Sequence, residues 1–444
     1  MIKMKSAKLI IIFLAIFAFG RIAVCQTDPF EKDELIRVGT EFVNLLNEGN
    51  FIEAVAFYDS TMQKAMPVEK LKSTWESLEK QVGAFEAIEK IDLDLAGEYQ
   101  QVNILCKFEN SSLNVRVVLD REKKVSGLWF LPASPVTYSP PDYVDIESFS
   151  ENEILFGLPG WELPGAISIP KGENKVPAAV LVHGSGPNDR NESIGPNQPF
   201  RDLAWGLASR GIAVLRYDKR TKIHGKRMIA GQTTVENEVI LDALAAIKLL
   251  RKRPEIDDER IFLVGHSLGA LLAPEIAVRD GNLAGIILLA APARTLEEAL
   301  IDQLKYVASL RENKSNEEEL ELKSLMDQIS KLEQNAIQPN EMIFGAAASY
   351  YYDLKKRDQI AFAKQLSIPI LILQGGRDYQ ATMADFEIWQ EALQTHKKVK
   401  FIDYPNLNHL FMTGEGMANP QEYMQQKGNV ALEVILNITE WLRN

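Results

Sequence analysis

"IFLVGHSLGALLAPEIAV" (residues 261–278) places a histidine and a serine between two apolar runs. The run before Gly265 has the composition of a buried strand, and the run after Gly269 has the composition and length of a helix. Because glycine lacks a side chain, Gly265 and Gly269 permit a sharp turn that exposes Ser267 above the sheet. The stretch therefore predicts a strand, a turn that carries a nucleophile, and a helix.

The same alternation of strand and helix continues on both sides of this stretch. Apolar runs that each precede a helical pattern are "AAVLVHG", "IAVLRYD", "IFLVG", "GIILLAAP" and "IPILILQGG". Continuous apolar strands separated by helices are typical of a mostly parallel sheet with both faces covered. We predict such an α/β domain over residues 151–444. Ligands of these sheets bind beyond the carboxyl ends of the strands.

A long helical segment, rich in Glu, Lys and Leu, interrupts the alternation at about residues 295–366. We interpret it as a helical cap inserted above the site. Within it, "MIFGAAASYYYDL" carries Met342, Phe344 and Tyr351. These side chains either line a substrate pocket or pack the cap on the core.

The chain before residue 151 has a different pattern. Helical spacing at the start of residues 28–131 is followed by four strand-like runs with short polar turns, which predicts a small α+β domain with helices over one sheet face. This segment resembles the cystatin-like or nuclear-transport-factor-like domains that precede some secreted bacterial hydrolases. Four prolines within "PASPVTYSPPDY" predict an extended linker at residues 132–150.

The amino terminus has the pattern of a cleavable export signal. Three lysines precede "LIIIFLAIFAF", and small side chains follow it, so we predict a signal peptide over residues 1–25 and a secreted or periplasmic protein, with the cell surface and lipidation of Cys25 left open. The apolar run is shorter than the roughly 20 residues that span a bilayer, so we expect no stable membrane span.

Composition excludes several functions. The chain has 444 residues and a formal net charge of −12, which argues against nucleic-acid binding because phosphate contacts require clustered Lys and Arg. The sequence contains no paired-cysteine, H-E-x-x-H or Walker motif. We therefore predict neither a metal nor a cofactor.

A serine hydroxyl requires a base within hydrogen-bond reach and a carboxylate that orients this base. Of the five histidines, His409 in "NLNHLF" lies between the last predicted strand and the last helix, where the chain returns over the sheet. Asp378 in "QGGRDYQ" directly follows the preceding strand, whereas the competing Asp403 lies within the last strand, close to the histidine. We predict that Ser267, Asp378 and His409 act together.

The oxyanion formed on attack needs hydrogen-bond donors that are already in place. The amide of Leu268 begins the helix after the nucleophile, where backbone N–H groups lack intrahelical partners. Ser185 in "HGSGP" follows an early strand and should face it. We predict that these two amides form the oxyanion hole.

Two charged segments also follow strand ends. "NDRNE" covers residues 188–192 and "RYDKR" covers residues 216–220. They either tie loops together through ion pairs or contact the substrate.

The motifs "VHGSGPNDRNE", "LRYDKR", "GHSLGA", "GGRDYQ" and "NLNHLF" together resemble the bacterial serine esterases of the α/β-hydrolase superfamily. The resemblance implies a carboxylesterase with Ser267, Asp378 and His409 as its triad, and we expect a small-molecule or glycan-linked ester as substrate. The sequence departs from the family in "GRDYQA" after the acid and in the domain that comes first. Two alternatives remain open: a serine peptidase with the same triad, and a non-catalytic binding protein at the cell surface.

Overall fold

The computed structural model describes residues 29–96, 99–132, 138–172, 174–228, 232–310 and 316–443. The predicted signal peptide, with Cys25, lies outside these residues. The chain divides after Thr137 into two compact units. Within the described ranges, no helix combines the length and the apolar composition needed to cross a bilayer.

The smaller unit is an α+β fold, as the sequence predicts. Its four strands form an antiparallel sheet in the order β1-β2-β3-β4. The core contains Phe42 and Trp75 from the helices and Val115 from the sheet, together with the buried thiol of Cys106. The elements are α1 (Pro29–Asn47), α2 (Phe51–Val55), α3 (Ser60–Ala65), α4 (Val68–Val82), β1 (Phe85–Ala96), β2 (Tyr99–Phe108), β3 (Ser112–Leu119) and β4 (Val125–Pro132).

The larger unit contains an eight-stranded sheet in the order β14-β13-β10-β9-β7-β8-β6-β5. The six strands from β14 to β8 are parallel, and β6 and β5 add an antiparallel edge. The mostly parallel α/β fold is therefore confirmed. The strands are β5 (Phe149–Leu158), β6 (Trp161–Pro170), β7 (Val176–Val182), β8 (Ala213–Tyr217), β9 (Ile256–His266), β10 (Gly285–Leu289), β13 (Ile370–Gly375) and β14 (Val399–Tyr404).

Helices cover both faces of this sheet, since its strands are apolar on both sides. The layer that contains α7 and α8 packs on one face, and α5 and α15 pack on the other. The helices of the main fold are α5 (Pro199–Ala208), α6 (Arg220–His224), α7 (Leu241–Leu250), α8 (Leu268–Asp280), α13 (Met383–Ala392), α14 (Pro420–Gln425) and α15 (Leu432–Arg443).

The segment predicted as a cap is helical and lies between β10 and β13. It contains α9 (Leu296–Ser309), α10 (Asn316–Glu333), the two-strand hairpin β11 (Met342–Ile343) and β12 (Ala346–Ala347), α11 (Ala348–Lys355) and α12 (Gln359–Gln365). Its last part belongs to the main fold, because Leu354 and Ala363 are buried in the core beneath the sheet.

The predicted linker over residues 132–150 is wrong in its second half. Tyr138 donates a hydrogen bond to Asp202 at 2.7 Å, and Tyr143 donates one to the carbonyl of Val430 at 2.8 Å. Strand β5 then begins at Phe149, before the predicted start of the domain. The prolines suppress regular structure here, but the two tyrosines anchor the segment to the larger unit.

The turn between β9 and α8 depends on close backbone packing. A Cβ atom added at Gly269 would lie 2.1 Å from the carbonyl oxygen of Val182 in β7. We expect Gly269→Ala to lower the free energy of unfolding by about 2–3 kcal/mol, because backbone cannot move aside as a flexible side chain can.

Gly225→Ala is the matched control, since a Cβ there meets no atom within 4 Å and the backbone is ordinary α-helical. It should leave the stability unchanged or raise it by up to about 1 kcal/mol. Urea unfolding followed by circular dichroism measures both variants, and equal stabilities would contradict the packing argument.

Candidate active site

Ser267 lies at the turn that the sequence predicts. Its backbone has φ 53° and ψ −116°, a conformation that L-residues rarely adopt and that occurs in strained functional turns. Gly265 permits the turn, because a Cβ there would lie 2.3 Å from the carbonyl oxygen of Gly269. The amide of Ser267 donates to the carbonyl of Leu289 in β10 at 2.9 Å. The serine is thereby fixed above the carboxyl ends of two neighbouring strands.

His409 and Asp378 are in direct contact. His409 Nδ1 donates to Asp378 Oδ2 at 2.7 Å, and both residues are buried. The other carboxylate oxygen accepts the amides of Gln380 at 2.7 Å and Ala381 at 3.1 Å. Because a carboxylate only accepts, the proton of the imidazole resides on Nδ1. In the neutral imidazole, Nε2 is then the nitrogen without a hydrogen.

The topology brings the three predicted residues to one edge of the sheet. Ser267 follows β9, Asp378 follows β13 and His409 follows β14, and these parallel strands end at the same side. The ring of His266, the residue before the serine, lies 4.7 Å from the ring of His409, measured between centroids. The competitor Asp403 is exposed on β14, so it does not orient this imidazole.

The loop of residues 184–186, called the oxyanion loop below after the role that the sequence predicts for it, approaches Ser267 closely. A Cβ added at Gly184 would lie 3.2 Å from the Cβ of Ser267. Ser185 is exposed, and its carbonyl accepts the side-chain amide of Asn188 at 3.0 Å. The structure therefore brings the segment that contains Ser185 next to Ser267, and Leu268 is the first residue of α8.

Buried charges hold the two successive peptide groups on either side of Gly184 in the oxyanion loop. The amide of Gly184 donates to Glu192 Oε1 at 2.6 Å, and its carbonyl accepts Lys219 Nζ at 2.9 Å. Both charged residues are almost fully buried. Sequence reasoning missed these roles, although both residues lie in the two charged segments that follow strand ends.

Lys219 in turn has a partner that connects it to the cap. Its Nζ lies 3.2 Å from Glu238 Oε1, which also accepts the hydroxyl of Thr221 at 2.9 Å. The hydroxyl of Tyr350 in α11 donates to the other oxygen of Glu238. Glu238 lies in a π-helical turn (Glu236–Ile240) that leads directly into α7, and such turns are frequent at functional sites.

The arginines of the two segments form ion pairs. Arg190 pairs with Asp218 at 2.9 Å, and Arg216 pairs with Glu151 at 2.6 Å. The contacts join β5, β8 and the loop after β7. Of the two interpretations of these segments, the structure favours the one in which they tie loops together.

The predicted pocket residues lie together in the cap. Met342 and Phe344 are exposed at the β11–β12 hairpin, and the hydroxyl of Tyr351 donates to the carbonyl of Phe344 at 3.0 Å. Tyr351 packs against a small apolar cluster within the cap. Tyr306 in α9 of the cap instead contacts the loop that contains Asp378, since its ring stacks on Tyr379 with ring centroids 5.0 Å apart.

Comparison with known proteins agrees with this architecture. The family described as "Protein of unknown function (DUF3887)" matches residues 39–128, and the family described as "Serine aminopeptidase, S33" matches residues 180–415. Esterase EstD of Thermotoga maritima is 42% identical over 439 residues, which cover 99% of this chain and 100% of that protein.

Solved structures of esterases are also similar in part. An esterase from Pyrococcus furiosus has 15% identity and a TM-score of 0.43, with 69% of this chain and 94% of that chain covered. Est1E from Butyrivibrio proteoclasticus has 17% identity and a TM-score of 0.43, with 66% of this chain and 97% of that chain covered. Among the residues that the structure describes, no group of His, Cys, Asp and Glu side chains could hold a metal ion.

The buried side chain of His183 makes the stability of the fold depend on pH. Burial lowers the pKa of His183, which precedes the oxyanion loop, to about 4. Between pH 4 and 6.5 the unfolded state therefore binds more protons than the folded state, so stability falls as the pH is lowered through this range. We expect His183→Asn to reduce this acid-induced loss by up to about 3 kcal/mol. Urea unfolding at pH 7, 5.5 and 4 measures it, and a pH dependence like that of the unchanged protein would contradict it.

Proposed function

We propose that this chain, which belongs to the esterases of the α/β-hydrolase superfamily, hydrolyses carboxylic esters through an acyl-enzyme formed on Ser267. The observation that carries the proposal is the 2.7 Å hydrogen bond between His409 and Asp378 at the sheet edge where Ser267 turns outward. This arrangement supports the proposed roles of Ser267 as the nucleophile, His409 as the base and Asp378 as the carboxylate that orients the base.

The reaction follows from the protonation state of the imidazole. The hydroxyl of Ser267 attacks the ester carbonyl carbon while its proton passes to His409 Nε2. Asp378 stabilises the resulting imidazolium. The proton then passes to the departing alcohol, which leaves the acyl group on the serine. Water attacks this acyl group by the same route and releases the acid.

The amides of Ser185 and Leu268 are the proposed donors to the carbonyl oxygen when it becomes negative. Loss of one such donor costs about 3 kcal/mol in other hydrolases. The proximity of Gly184 to Ser267 and the position of Leu268 at the start of α8 support this assignment. Both amides belong to backbone that other contacts fix before the substrate arrives.

We propose a small-molecule or glycan-linked ester as the substrate. The net charge of −12 favours a neutral or cationic ligand and disfavours nucleic acid. Met342, Phe344 and Tyr351 remain the proposed pocket residues, and their exposure or position in the cap supports a role in substrate binding.

The proposal includes export from the cell. It is supported by the basic start and the 11-residue apolar run of residues 9–19. Mass spectrometry of the protein from its native host should find a mature chain that begins at Gln26. A chain that retains residues 1–25, or a lipid on Cys25, would contradict cleavage at this site.

Replacement of the nucleophile tests the covalent step. Ser267→Ala should lower kcat for an activated aryl ester by on the order of 10⁶. The same variant should lose labelling by a fluorophosphonate probe, because no hydroxyl remains to attack phosphorus. Retained hydrolysis or labelling would refute the assignment of Ser267.

Two variants compare Asp378 with Asp403, the other candidate for the carboxylate that orients His409. Asp378→Asn should lower kcat by about 10⁴, because the amide disfavours the tautomer with a proton on Nδ1. Asp403→Asn should leave kcat within about twofold, since this residue is exposed on β14. Similar losses in both variants would contradict the assignment of the acid.

A serine peptidase with the same triad is the second candidate, and the match to the family described as "Serine aminopeptidase, S33" favours it. Rates on an aryl ester and on an aminoacyl amide distinguish the two activities. Faster turnover of the amide would select the peptidase. A folded protein that neither hydrolyses these substrates nor reacts with the fluorophosphonate would instead be a binding protein.

A further inference from the structure

His266, the residue before the proposed nucleophile, has its own buried partners. Its Nδ1 lies 2.9 Å from Glu192 Oε2, and its Nε2 lies 3.0 Å from the backbone carbonyl oxygen of His409. All three side chains are almost fully buried. Nothing in the proposed acyl transfer requires His266 or Glu192 to exchange a proton with the substrate.

The partners of the imidazole determine its protonation. A carbonyl oxygen accepts but never donates, so Nε2 carries a hydrogen. Nδ1 lies beside Glu192 Oε2 in an ion pair without hydrogen-bond geometry, and the negative charge of this carboxylate favours a hydrogen on Nδ1 as well. These partners favour an imidazolium at His266, and Glu192 would balance its charge, because a buried ion requires a partner.

The pKa directions agree with this ion pair. Burial by itself would lower the pKa of His266, but the charge of Glu192 and the contact with the carbonyl of His409 raise it above its ordinary value. Burial would raise the pKa of Glu192, but His266 and the amide of Gly184 hold it below its ordinary value.

Glu192 connects this pair to the oxyanion loop. Its Oε2 faces His266, while its Oε1 accepts the amide of Gly184 at 2.6 Å. The backbone of Glu192 has φ 51°, and its amide donates to the carbonyl of Asp189 at 2.9 Å. A local turn thus directs one carboxylate at two different parts of the site.

We propose that Glu192 and His266 form a positioning pair that fixes the oxyanion loop and the loop of His409 on either side of Ser267. Glu192 holds the peptide that precedes the oxyanion donor of Ser185, and His266 holds the backbone of the general base. Neither residue touches the reacting atoms. The inference rests on the proposed esterase function. It adds how the oxyanion loop and the loop of His409 keep their positions relative to each other.

Such positioning affects the transition state more than substrate binding, because hydrogen bonds and proton transfer at the reacting carbon tolerate only small displacements. We expect Glu192→Gln to lower kcat for an aryl ester by about 10- to 100-fold, less than the loss of an oxyanion donor itself. KM should change by no more than about threefold, since the cap contacts of the substrate are untouched.

Glu275→Gln is the matched control. Glu275 is also a buried glutamate, lies on α8 and pairs with Arg357 at 2.6 Å, but it has no contact with the oxyanion loop or with His409 among the described contacts. Its replacement removes the same charge from a buried ion pair. It should reduce stability while kcat per folded site, counted by fluorophosphonate titration, stays within about twofold.

Binding of a transition-state mimic separates positioning from general damage to the fold. An aryl boronic acid forms a tetrahedral adduct with the serine hydroxyl, so its affinity should fall in Glu192→Gln by the same factor as kcat/KM. The affinity for the product carboxylic acid should remain nearly unchanged. His266→Gln should show the same pattern, and the double variant should be no worse than the poorer single variant, because the pair acts as a unit.

The outcomes are distinct. The positioning role is overturned if Glu192→Gln retains the kcat of Glu275→Gln, if its loss is confined to KM, or if the losses of Glu192→Gln and His266→Gln simply add. If the unchanged protein neither hydrolyses esters nor reacts with the fluorophosphonate, the proposed function fails, and the inference fails with it.

A second measurement applies if Glu192→Gln does not fold. Nitrogen-15 spectra of the unchanged protein at pH 8, assigned with His266→Gln, report the protonation of each ring nitrogen. We expect protons on both nitrogens of His266 at this pH. A neutral ring would overturn the proposed pair.

Discussion

The site depends on a contact between two backbone segments that have no side chains between them. At Gly269 the first turn of α8 lies against the carbonyl of Val182 in β7, and at Gly265 the end of β9 lies against the carbonyl of Gly269. This close approach of the two backbone segments permits the conformation of Ser267, whose φ is 53°. Hydrogen bonds between neighbouring strands then determine where the ends of β10, β13 and β14 lie relative to the serine. The geometry at the sheet edge is therefore a consequence of close packing.

Around this contact, buried ions take the place that apolar side chains have in the rest of the core. The oxyanion loop consists of peptide groups, and a buried peptide requires a partner for each N–H and each C=O. Glu192 and Lys219 provide these partners for Gly184, and each ion is itself paired, with His266 and with Glu238. A charged group forms stronger hydrogen bonds than a neutral one where water is excluded. The oxyanion loop is thus held by directional hydrogen bonds as well as by close packing.

Sequence reasoning succeeded where one local pattern determines the structure. The alternation of apolar strands and helices predicted the sheet, and the positions of Asp378 and His409 after successive strands predicted their contact. It failed where contacts between residues far apart along the chain determine the structure. The prolines near residue 140 indicated a linker, but Tyr138 and Tyr143 find partners 64 and 287 residues away along the chain. Glu192 and His266 are likewise far apart in sequence, so a single chain gives no sign that their charges meet.

The buried thiol of the smaller unit has a chemical consequence of its own. Cys106 is the one cysteine among the described residues, and burial raises its pKa to about 12. A thiol reacts with alkylating reagents as the thiolate, so this group is inert while the antiparallel sheet stays closed. Its rate of alkylation therefore reports the opening of that sheet alone, separately from any loss of ester turnover, and gives the two halves of the molecule independent readouts in one sample.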